Sequence, residues 1–457
     1  MLRIVEVGLT LALSFAVLAF GGTAPPFFAV TQIVVLSLGI LFLLASPRSR
    51  LASIHVPVLA PLLLIILVLL QILPLPASLQ PLLGAAHNGL PGRPYFTVSI
   101  APYETASQLL LLVTYLTAFY LILPLCQDRN AKKRFVFALV AVGMFEASYG
   151  LLQYLTGWQQ IFGYVKKYYV DDATGTYINR NHFAGLLEMI LPFVVVLALR
   201  QARVLRRVML GGVASIRRVL SGMELVLLML WLFLATTLFA ALMFSRSRMG
   251  IISAIVSLIV VLVLAGTSSF PARSRAIVAA LFFLGVLGLV VWIGSDPVII
   301  RFESLGQEYV QSGQNRISIW RDTLKLIHQN PLFGTGLGSF PVAYPSVQTS
   351  FLTLFVDHAH CDYLEVVSDL GFTGGILLFG SIFWILARAI SRHNEVEERF
   401  DKDVLLACAG SIAAILLHSM VDFNLHIPAN ALVFSVILAL ACSSARQVKM
   451  SPKGSNI

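Results

Sequence analysis

Long apolar runs recur along this chain, and the gaps between them alternate between rich and poor in Lys and Arg. An apolar run of about 20 residues is long enough to cross a bilayer as a helix. Basic residues near the ends of such spans stay on the cytoplasmic side. The alternation therefore predicts both where the spans lie and which face of the membrane each gap occupies.

The composition agrees with a membrane protein. The chain is 58% hydrophobic and 12% charged, whereas a soluble domain is about 45–50% apolar and about 25% charged. We predict an all-α fold, a polytopic membrane helix bundle with about 12 transmembrane helices and a large outer loop that contains short helices. The first run has no clean cleavage motif and is interpreted as a span rather than a signal peptide. The predicted spans lie near residues 4–21, 27–45, 57–74, 106–125, 135–156, 182–199, 224–244, 249–266, 276–295, 373–390, 404–420 and 428–443.

The orientation follows from the basic gaps. With the N-terminus inside, the cytoplasmic side receives the clusters at 48–50, 129–134, 200–218, 273–275 and 392–402, and the C-terminal tail. The opposite orientation would place most of the 32 Lys and Arg residues outside, so we reject it. We therefore predict that both termini are cytoplasmic. The net charge of +10 then indicates contact with anionic lipid headgroups rather than nucleic acid.

The same pattern divides the chain into four regions. We predict N-terminal transmembrane helices over 1–156, and central transmembrane helices with arginine-bearing outer turns over 157–295. A large outer loop with the candidate catalytic motifs is predicted over 296–372. The remaining residues, 373–457, are predicted to form the C-terminal transmembrane helices and a basic cytoplasmic tail.

Two of the outer gaps differ in chemistry. The gap at 75–105 is rich in proline and carries no catalytic pattern, so we interpret it as a lid or spacer. The gap at 157–181 is rich in tyrosine, as interfacial belts are, but Asn179, Arg180, Asn181 and His182 follow where the next span begins. A helix N-terminus favours anions, and an arginine can bind phosphate with two hydrogen bonds.

The outer loop at 296–372 contains the densest polar motifs. Arg316 and Trp320 lie four residues apart in a segment that we predict to be an amphipathic helix ending before Pro331. Its predicted apolar face consists of Ile317, Trp320, Leu324 and Ile327. The glycines at 334, 336 and 338 allow close backbone approach, either to a ligand or to a neighbouring helix. A nucleotide-binding loop is excluded, since no Lys-Ser/Thr pair follows.

A histidine pair follows the glycines. His358 and His360 lie among acidic residues, and Asp362 is predicted to cap a short helix that ends at Gly371. Three interpretations remain open: a metal site, structural histidines, or a reactive histidine at the membrane surface. We favour the reactive histidine and predict no metal, since no second ligand cluster is evident.

Two short outer turns are also polar. Arg246 and Arg248 lie on the side that is poor in basic residues, so they either extend towards the membrane surface or bind an anionic partner. His418 and Asp422 are four residues apart at a helix end and are spaced to pair.

The combination of these motifs resembles the O-antigen ligase and O-antigen polymerase superfamily. The residues that carry the resemblance lie between about 179 and 440: the Ser-Arg turn that opens a span, Arg316 before the Trp helix, the Gly334-to-Phe340 stretch, the His360-x-Asp-Tyr-Leu motif, and the segment 418–428. Cys361 departs from the asparagine that often follows the histidine in such proteins.

The resemblance implies a function. It implies transfer of a glycan from an undecaprenyl-pyrophosphate carrier to an acceptor hydroxyl on the periplasmic face of the bacterial inner membrane, without a cofactor or metal. It implies that Arg248 and Arg316 bind the pyrophosphate and that His360 is catalytic. Further candidate substrate-binding residues are Arg180, Arg246, His358 and Trp320.

Other functions remain open within and outside this class. The acceptor can be a glycolipid, a growing exopolysaccharide or O-antigen repeat, or a protein. The alternative outside the enzyme class is a transporter or flippase of a lipid-linked or anionic substrate, which predicts charged residues deep within spans. Only Glu146 and Glu188 approach that pattern, and no internal repeat is present.

Overall fold

The computed structural model describes residues 1–45, 58–80, 94–209, 222–266, 308–349 and 355–445, and the single residues 276, 280 and 284. Within these residues the fold is all-α, as predicted, with thirteen α-helices. In chain order they are α1 (Leu2–Leu18), α2 (Pro25–Ala45), α3 (Leu59–Ile72), α4 (Pro102–Leu125), α5 (Arg129–Thr156), α6 (Arg180–Met209), α7 (Met223–Phe244), α8 (Arg248–Gly266), α9 (Glu308–Gln329), α10 (Phe340–Ala343), α11 (Asp362–Arg392), α12 (Arg399–His418) and α13 (Pro428–Ser444).

Seven of the described helices, α2, α4, α5, α6, α7, α8 and α11, are long and apolar enough to cross a membrane. Helices α3 and α13 are shorter apolar helices of 14 and 17 residues. The chain is therefore a membrane protein, while the number of about 12 spans stays a prediction. The predicted span at 276–295 lies outside the described residues, apart from three single positions.

Helix α6 lies at the centre of the bundle. Its apolar stretch is entirely buried, and it packs against α5, α7, α8 and α12. Helix α2, by contrast, buries only part of its apolar length and exposes Ile33 and Leu44. A helix that is apolar all round can be fully enclosed or can face lipid. The chain uses both arrangements, with α6 as the enclosed core helix.

The two ends of the bundle carry different chemistry. At one end, Lys132 of α5 pairs with Asp401 of α12, and Arg203 of α6 pairs with Asp403, all of them buried. Helices α6, α8, α11 and α13 begin at the opposite end, which we call the site end. Because α6 runs from the site end to Arg203, the outer motifs and the buried basic pairs are separated by the length of a span.

Helix α11 is one element where two were predicted. The predicted short helix ending at Gly371 and the predicted span at 373–390 form a continuous helix with a kink at Gly371, whose φ is +66°. A side chain there would lie 2.2 Å from the carbonyl oxygen of Leu332, so only glycine fits. The kink therefore exists because the segment at Leu332 packs directly against the helix backbone. This segment leads into the turn with the glycines at 334, 336 and 338, which we call the glycine turn.

The glycine turn approaches a neighbouring helix, which decides between the two predicted alternatives. A Cβ atom at Gly334 would lie 2.3 Å from the backbone carbonyl of Asp369 in α11. The amide of Thr335 donates to the carbonyl of Ser368 at 3.0 Å, and the amide of Gly336 donates to that of Asp369 at 2.9 Å. These bonds fix the loop against the first half of α11.

The proline-rich outer gap supports the same turn. Its ends pair as a short antiparallel ladder, β1 (Leu75–Pro76) with β2 (Tyr95–Phe96). The side-chain amide of Gln71, at the end of α3, donates to the carbonyl oxygens of Phe333 at 2.6 Å and Asp369 at 2.8 Å. A second hairpin, β3 (Gln160–Ile161) with β4 (Tyr164–Val165), lies in the tyrosine-rich gap.

Helix α9 ends at Gln329, before Pro331 as predicted, but its buried face was predicted correctly only in part. Ile327 is buried as predicted, whereas Ile317 and Leu324 are 56% and 55% exposed. The rest of the buried face consists of Ile319, Asp322, Thr323 and Leu326. The prediction failed because it counted apolar residues alone, whereas the buried Asp322 accepts hydrogen bonds from Thr349.

Candidate active site

The site lies where the first turns of α6 and α11 meet the loop between α12 and α13. That loop spans residues 419–427 and ends in a short 3-10 helix, Asn424–His426. The amide of Asp362, at the start of α11, donates to the carbonyl oxygens of Ser419 at 2.9 Å and Asp422 at 3.1 Å. The loop is therefore held on the N-terminus of α11, and it contacts Asn181 of α6, Arg316 of α9 and the histidines before α11.

Two of the predicted arginines share one carboxylate. Arg180 donates to Asp172 Oδ2 at 2.7 Å, and Arg246 lies 3.4 Å from Asp172 Oδ1. The Arg180 guanidinium also lies over the ring of Tyr169, 5.1 Å from its centroid. Arg246 adopts a left-handed backbone with φ +54°, a strained conformation for a non-glycine residue. We call Arg180 and Arg246 the arginine pair. Arg248, the third arginine of this region, is the first residue of α8 and follows Arg246 by two residues in the chain.

Arg316 connects α9 to the same region. Its guanidinium donates to the carbonyl oxygen of Val421 at 2.7 Å and lies 4.0 Å from Asp422 Oδ2. Asp422 also accepts from the side-chain amide of Asn181 at 2.6 Å. Because Asn181 is next to Arg180 in the chain, Asp422 links Arg316 to the arginine pair.

The charges around Asp422 keep it ionised. Burial alone would raise the pKa of this carboxyl, but its electrostatic interactions with His182, His418 and Arg316 bring its pKa below the ordinary value. Burial raises the pKa of Tyr169, which lies within electrostatic reach of Arg180, Asp422 and Arg316. These groups therefore form one continuous electrostatic environment.

Three histidine rings surround Phe423. His358 stacks on it with ring centroids 4.0 Å apart, and His360 and His182 approach edge-on at 5.2 and 4.7 Å. His358 and His360 thus share one partner. The indole of Trp320 donates to the carbonyl oxygen of Ala359 at 3.0 Å, which fixes the backbone between the two histidines.

His360 has the features of a poised base. Its backbone is left-handed with φ +51°, and its ring Nδ1 is buried with no hydrogen-bond partner among the described residues. Burial lowers the pKa of this imidazole, and the positive charge of Arg316 lowers it further against the opposing effect of Asp422. A neutral imidazole with a free nitrogen can accept a proton near pH 7.

His358 belongs to a separate hydrogen-bonded group. Its Nδ1 lies 2.7 Å from Glu365 Oε1, while His426 lies 2.7 Å from Asp362 Oδ1 and 3.4 Å from Glu365 Oε1. Burial opposes protonation of His426, but Glu365 and Asp362 raise its pKa to about 10. Asp362 therefore does not cap α11 as predicted. The N-cap is Cys361, without a side-chain bond, and the Asp362 carboxylate turns towards the loop instead.

The same group has ligand atoms close enough for a cation. The side chains of His358, Glu365 and His426 place ligand atoms within 4.8 Å of one another. In the structure, however, both imidazoles face the same carboxylate oxygen, Glu365 Oε1. The contacts are accounted for by protons shared between imidazole and carboxylate. His360 is not part of this cluster, contrary to a metal interpretation of the His-x-His motif.

The predicted His418–Asp422 pair does not form. His418 Nδ1 instead lies 3.0 Å from Glu188 Oε2, and both side chains are fully buried. The prediction considered one helix end alone, whereas α6 presents Glu188 to the ring across the bundle. Asp422 instead lies near the side chains of Arg316, Asn181 and His182.

The predicted residues meet through shared partners: Arg180 and Arg246 at Asp172, and His358 and His360 at Phe423. Arg316 lies beside Asp422, and Trp320 bonds to the backbone between the two histidines. The sequence analysis missed Asp172 as the shared counter-ion and Phe423 as the common platform. The acidic pair at 171–172, which precedes Arg180 in the same gap, was an available signal for Asp172. An apolar residue within a polar loop gave no comparable signal for Phe423.

Comparison with known families agrees with this geometry. Residues 232–379, about a third of the chain, match the family model for O-antigen ligase. The resemblance to the O-antigen ligase and polymerase superfamily is thereby confirmed. The matched region contains Arg246, Arg248, Arg316 and His360, whereas Arg180 and the 419–427 loop lie outside it. No curated protein matches the chain.

Proposed function

We propose that this chain, which resembles the O-antigen ligase and polymerase superfamily, transfers a glycan from an undecaprenyl-pyrophosphate carrier to an acceptor hydroxyl at the periplasmic face of the inner membrane. The observation that carries the proposal is that Arg316 lies 4.0 Å from Asp422 while the ring of His360 contacts the next residue, Phe423, within electrostatic reach of Arg316. An anion-binding group and a neutral base thus lie side by side.

The arginines suit the leaving group. A lipid pyrophosphate needs neutralisation of the negative charge that develops when its bond to the glycan breaks, and arginine supplies planar, bidentate donors for this. Arg316 and the arginine pair lie within one electrostatic environment with two carboxylates, Asp172 and Asp422. Arg248, at the start of α8, supplies a further cation to the same face.

His360 suits the acceptor. A neutral ring nitrogen of His360 takes the proton of the acceptor hydroxyl while that oxygen attacks the anomeric carbon. The bond between this carbon and the carrier pyrophosphate breaks, and its electron pair stays on the phosphate oxygen next to the arginines. This single displacement inverts the anomeric configuration. His358, held by Glu365, positions the neighbouring backbone rather than taking the proton.

The chemistry requires no metal in this proposal. Arginine charge replaces the cation that often neutralises pyrophosphate, and the His358, Glu365 and His426 side chains already satisfy one another. Addition of EDTA should leave the rate of glycan transfer unchanged. Loss of activity in EDTA that zinc restores would instead assign a metal to these three residues.

The direct test is glycan transfer by purified protein in nanodiscs with a lipid-linked donor. His360→Ala should lose about 10²–10⁴-fold in rate, the usual contribution of a general base, while donor binding is retained. His358→Ala should lose less. His328→Ala is the matched control, since His328 is exposed at the end of α9. Normal transfer by His360→Ala would exclude the proposed base.

A further inference from the structure

Tyr169 belongs to the tyrosine-rich outer gap, yet it lies against the candidate site. The Arg180 guanidinium is 5.1 Å from the centroid of the Tyr169 ring. The preceding residue, Tyr168, is 67% exposed, as a tyrosine of the membrane interface can be. The two adjacent tyrosines therefore have different surroundings, and the interpretation as an interfacial belt fits Tyr168 but not Tyr169.

A single turn presents both Tyr169 and Asp172 to Arg180. The amide of Asp172 donates to the carbonyl oxygen of Tyr169 at 3.2 Å, which closes the turn. The buried ammonium group of Lys166 donates to the carbonyl oxygen of Asp172 at 2.9 Å and holds the turn in place. The ring that lies against the guanidinium and the carboxylate that pairs with it therefore come from one hydrogen-bonded element.

The backbone of Tyr169 is strained. Its φ is +55°, in the left-handed region that is unfavourable for a residue with a large side chain. Arg246 and His360, two further residues of the site, share this feature. Strained backbone persists where the surrounding structure requires it, and it clusters at ligand-binding and catalytic sites. The strain therefore groups Tyr169 with residues to which the proposed function assigns chemistry.

The phenol of Tyr169 is an available hydrogen-bond donor. It makes no hydrogen bond to another residue in the described part of the chain. Burial raises its pKa, so the phenol keeps its proton at neutral pH. It lies within electrostatic reach of both Arg180 and Arg316. A protonated phenol near two cationic centres is suited to donate to an anion that both centres bind.

We propose that Tyr169 is a donor-binding residue, whose ring holds the Arg180 guanidinium and whose phenol donates a hydrogen bond to a phosphate oxygen of the lipid pyrophosphate. The inference rests on the proposed function, which assigns the pyrophosphate to the arginines. A lipid with one phosphate occupies one cationic centre at a time, whereas a pyrophosphate places oxygens at both the arginine pair and Arg316. Tyr169, within reach of both centres, thus helps to select pyrophosphate over monophosphate.

The test is binding of two lipid probes to purified protein in phosphatidylcholine nanodiscs. The probes are hexadecyl pyrophosphate and hexadecyl monophosphate, and the dissociation constant of each is measured. Tyr169→Phe removes the phenol and keeps the ring. It should bind the pyrophosphate at least about tenfold more weakly, the usual value of a hydrogen bond to a charged group, and the monophosphate nearly as well as the wild type. Tyr168→Phe is the matched control and should bind both probes like the wild type.

A second substitution tests the ring. Tyr169→Leu loses the phenol and also the aromatic face against Arg180. It should bind hexadecyl pyrophosphate about threefold more weakly again than Tyr169→Phe, which is the scale of a cation–π contact at a partly exposed position. Equal binding by the Leu and Phe variants would overturn the role of the ring.

The remaining outcomes separate this inference from the proposed function. Pyrophosphate binding by Tyr169→Phe that equals the wild type would overturn the role of the phenol. An equal loss for both probes would show that Tyr169 only supports the local structure, and would overturn its role in selecting pyrophosphate. Both results leave the proposed function intact, because the wild type still binds the donor analogue. Failure of the wild type itself to bind hexadecyl pyrophosphate would refute the donor assignment and this inference with it.

Discussion

The imidazole of His358 stacks on the ring of Phe423, with centroids 4.0 Å apart and planes inclined by 15°. His182 and His360 contact the other sides of the same ring. Phe423 has no acid–base chemistry, yet its ring contacts all three imidazoles. The positions of the candidate base and of its neighbours therefore depend on an apolar residue in the 419–427 loop.

Substitution of Phe423 should impair transfer without removing a reactive group. Phe423→Leu keeps an apolar side chain but loses the flat face against His358, so the His358–His360 segment shifts. A displacement of about 1 Å can cost about 10²-fold in rate, and we expect a loss of that order in kcat. Phe383→Leu is the control, because Phe383 is 49% exposed on α11. Unchanged kcat in Phe423→Leu, at equal yield of folded protein, would show that the ring does not position the base.

Arg316 should require its guanidinium and not only its charge. It donates to the Val421 carbonyl and lies beside Asp422 with a second nitrogen, a geometry that lysine cannot reproduce. Arg316→Lys should therefore lose nearly as much kcat/KM as Arg316→Ala. Arg321→Lys, at an exposed position of α9, provides the comparison. Full activity of Arg316→Lys would exclude bidentate binding of the pyrophosphate.

The pH dependence of transfer should follow His360. Burial is the largest cause of its lowered pKa, so kcat/KM should rise with pH through a midpoint below the ordinary histidine value of about 6.5 and then stay level. Arg316 lowers and Asp422 raises this pKa. Arg316→Gln should therefore move the midpoint to higher pH, and Asp422→Asn should move it to lower pH. The same pH midpoint of kcat/KM in the wild type, Arg316→Gln and Asp422→Asn would contradict a base at His360.

The predicted orientation can be tested with cysteine labelling. The four native cysteines are all buried, so single exposed cysteines can report. Ser346 and Ser391 are exposed near opposite ends of the bundle. A membrane-impermeant maleimide added to intact spheroplasts should label Ser346→Cys and spare Ser391→Cys. Labelling of Ser346→Cys only after the membrane is opened would place the outer loop in the cytoplasm and remove the basis for a periplasmic reaction.

Much of the helical layout is predictable because membrane spans are local. A span is an uninterrupted apolar run, and α6, α7 and α8 begin within two residues of their predicted starts. The failures are places where distant segments decide. The kink at Gly371 depends on the carbonyl of Leu332, and the buried face of α9 depends on the bond between Asp322 and Thr349.

The site was predictable in its residue types but not in its pairing. Arginines and histidines are conspicuous in an apolar chain, and most of the predicted ones converge. Their partners come from other gaps: Asp172 holds Arg246 across more than one span, and Glu188 of α6 takes the ring of His418. Such partners follow from the packing of helices, which the spacing of residues along one segment does not encode.

The carboxylate of Asp172 already occupies the arginine pair before any substrate arrives. In the proposed reaction, an incoming pyrophosphate would therefore exchange with a resident anion instead of entering an unoccupied cationic site. When the spent carrier leaves, Asp172 is positioned to return to both guanidinium groups, so they are not left unpaired in a poorly hydrated setting. Because Asp172 is part of the chain, both binding and release of the pyrophosphate would exchange one counter-ion of the arginines for another. This exchange would help the spent carrier to leave a site that binds it tightly.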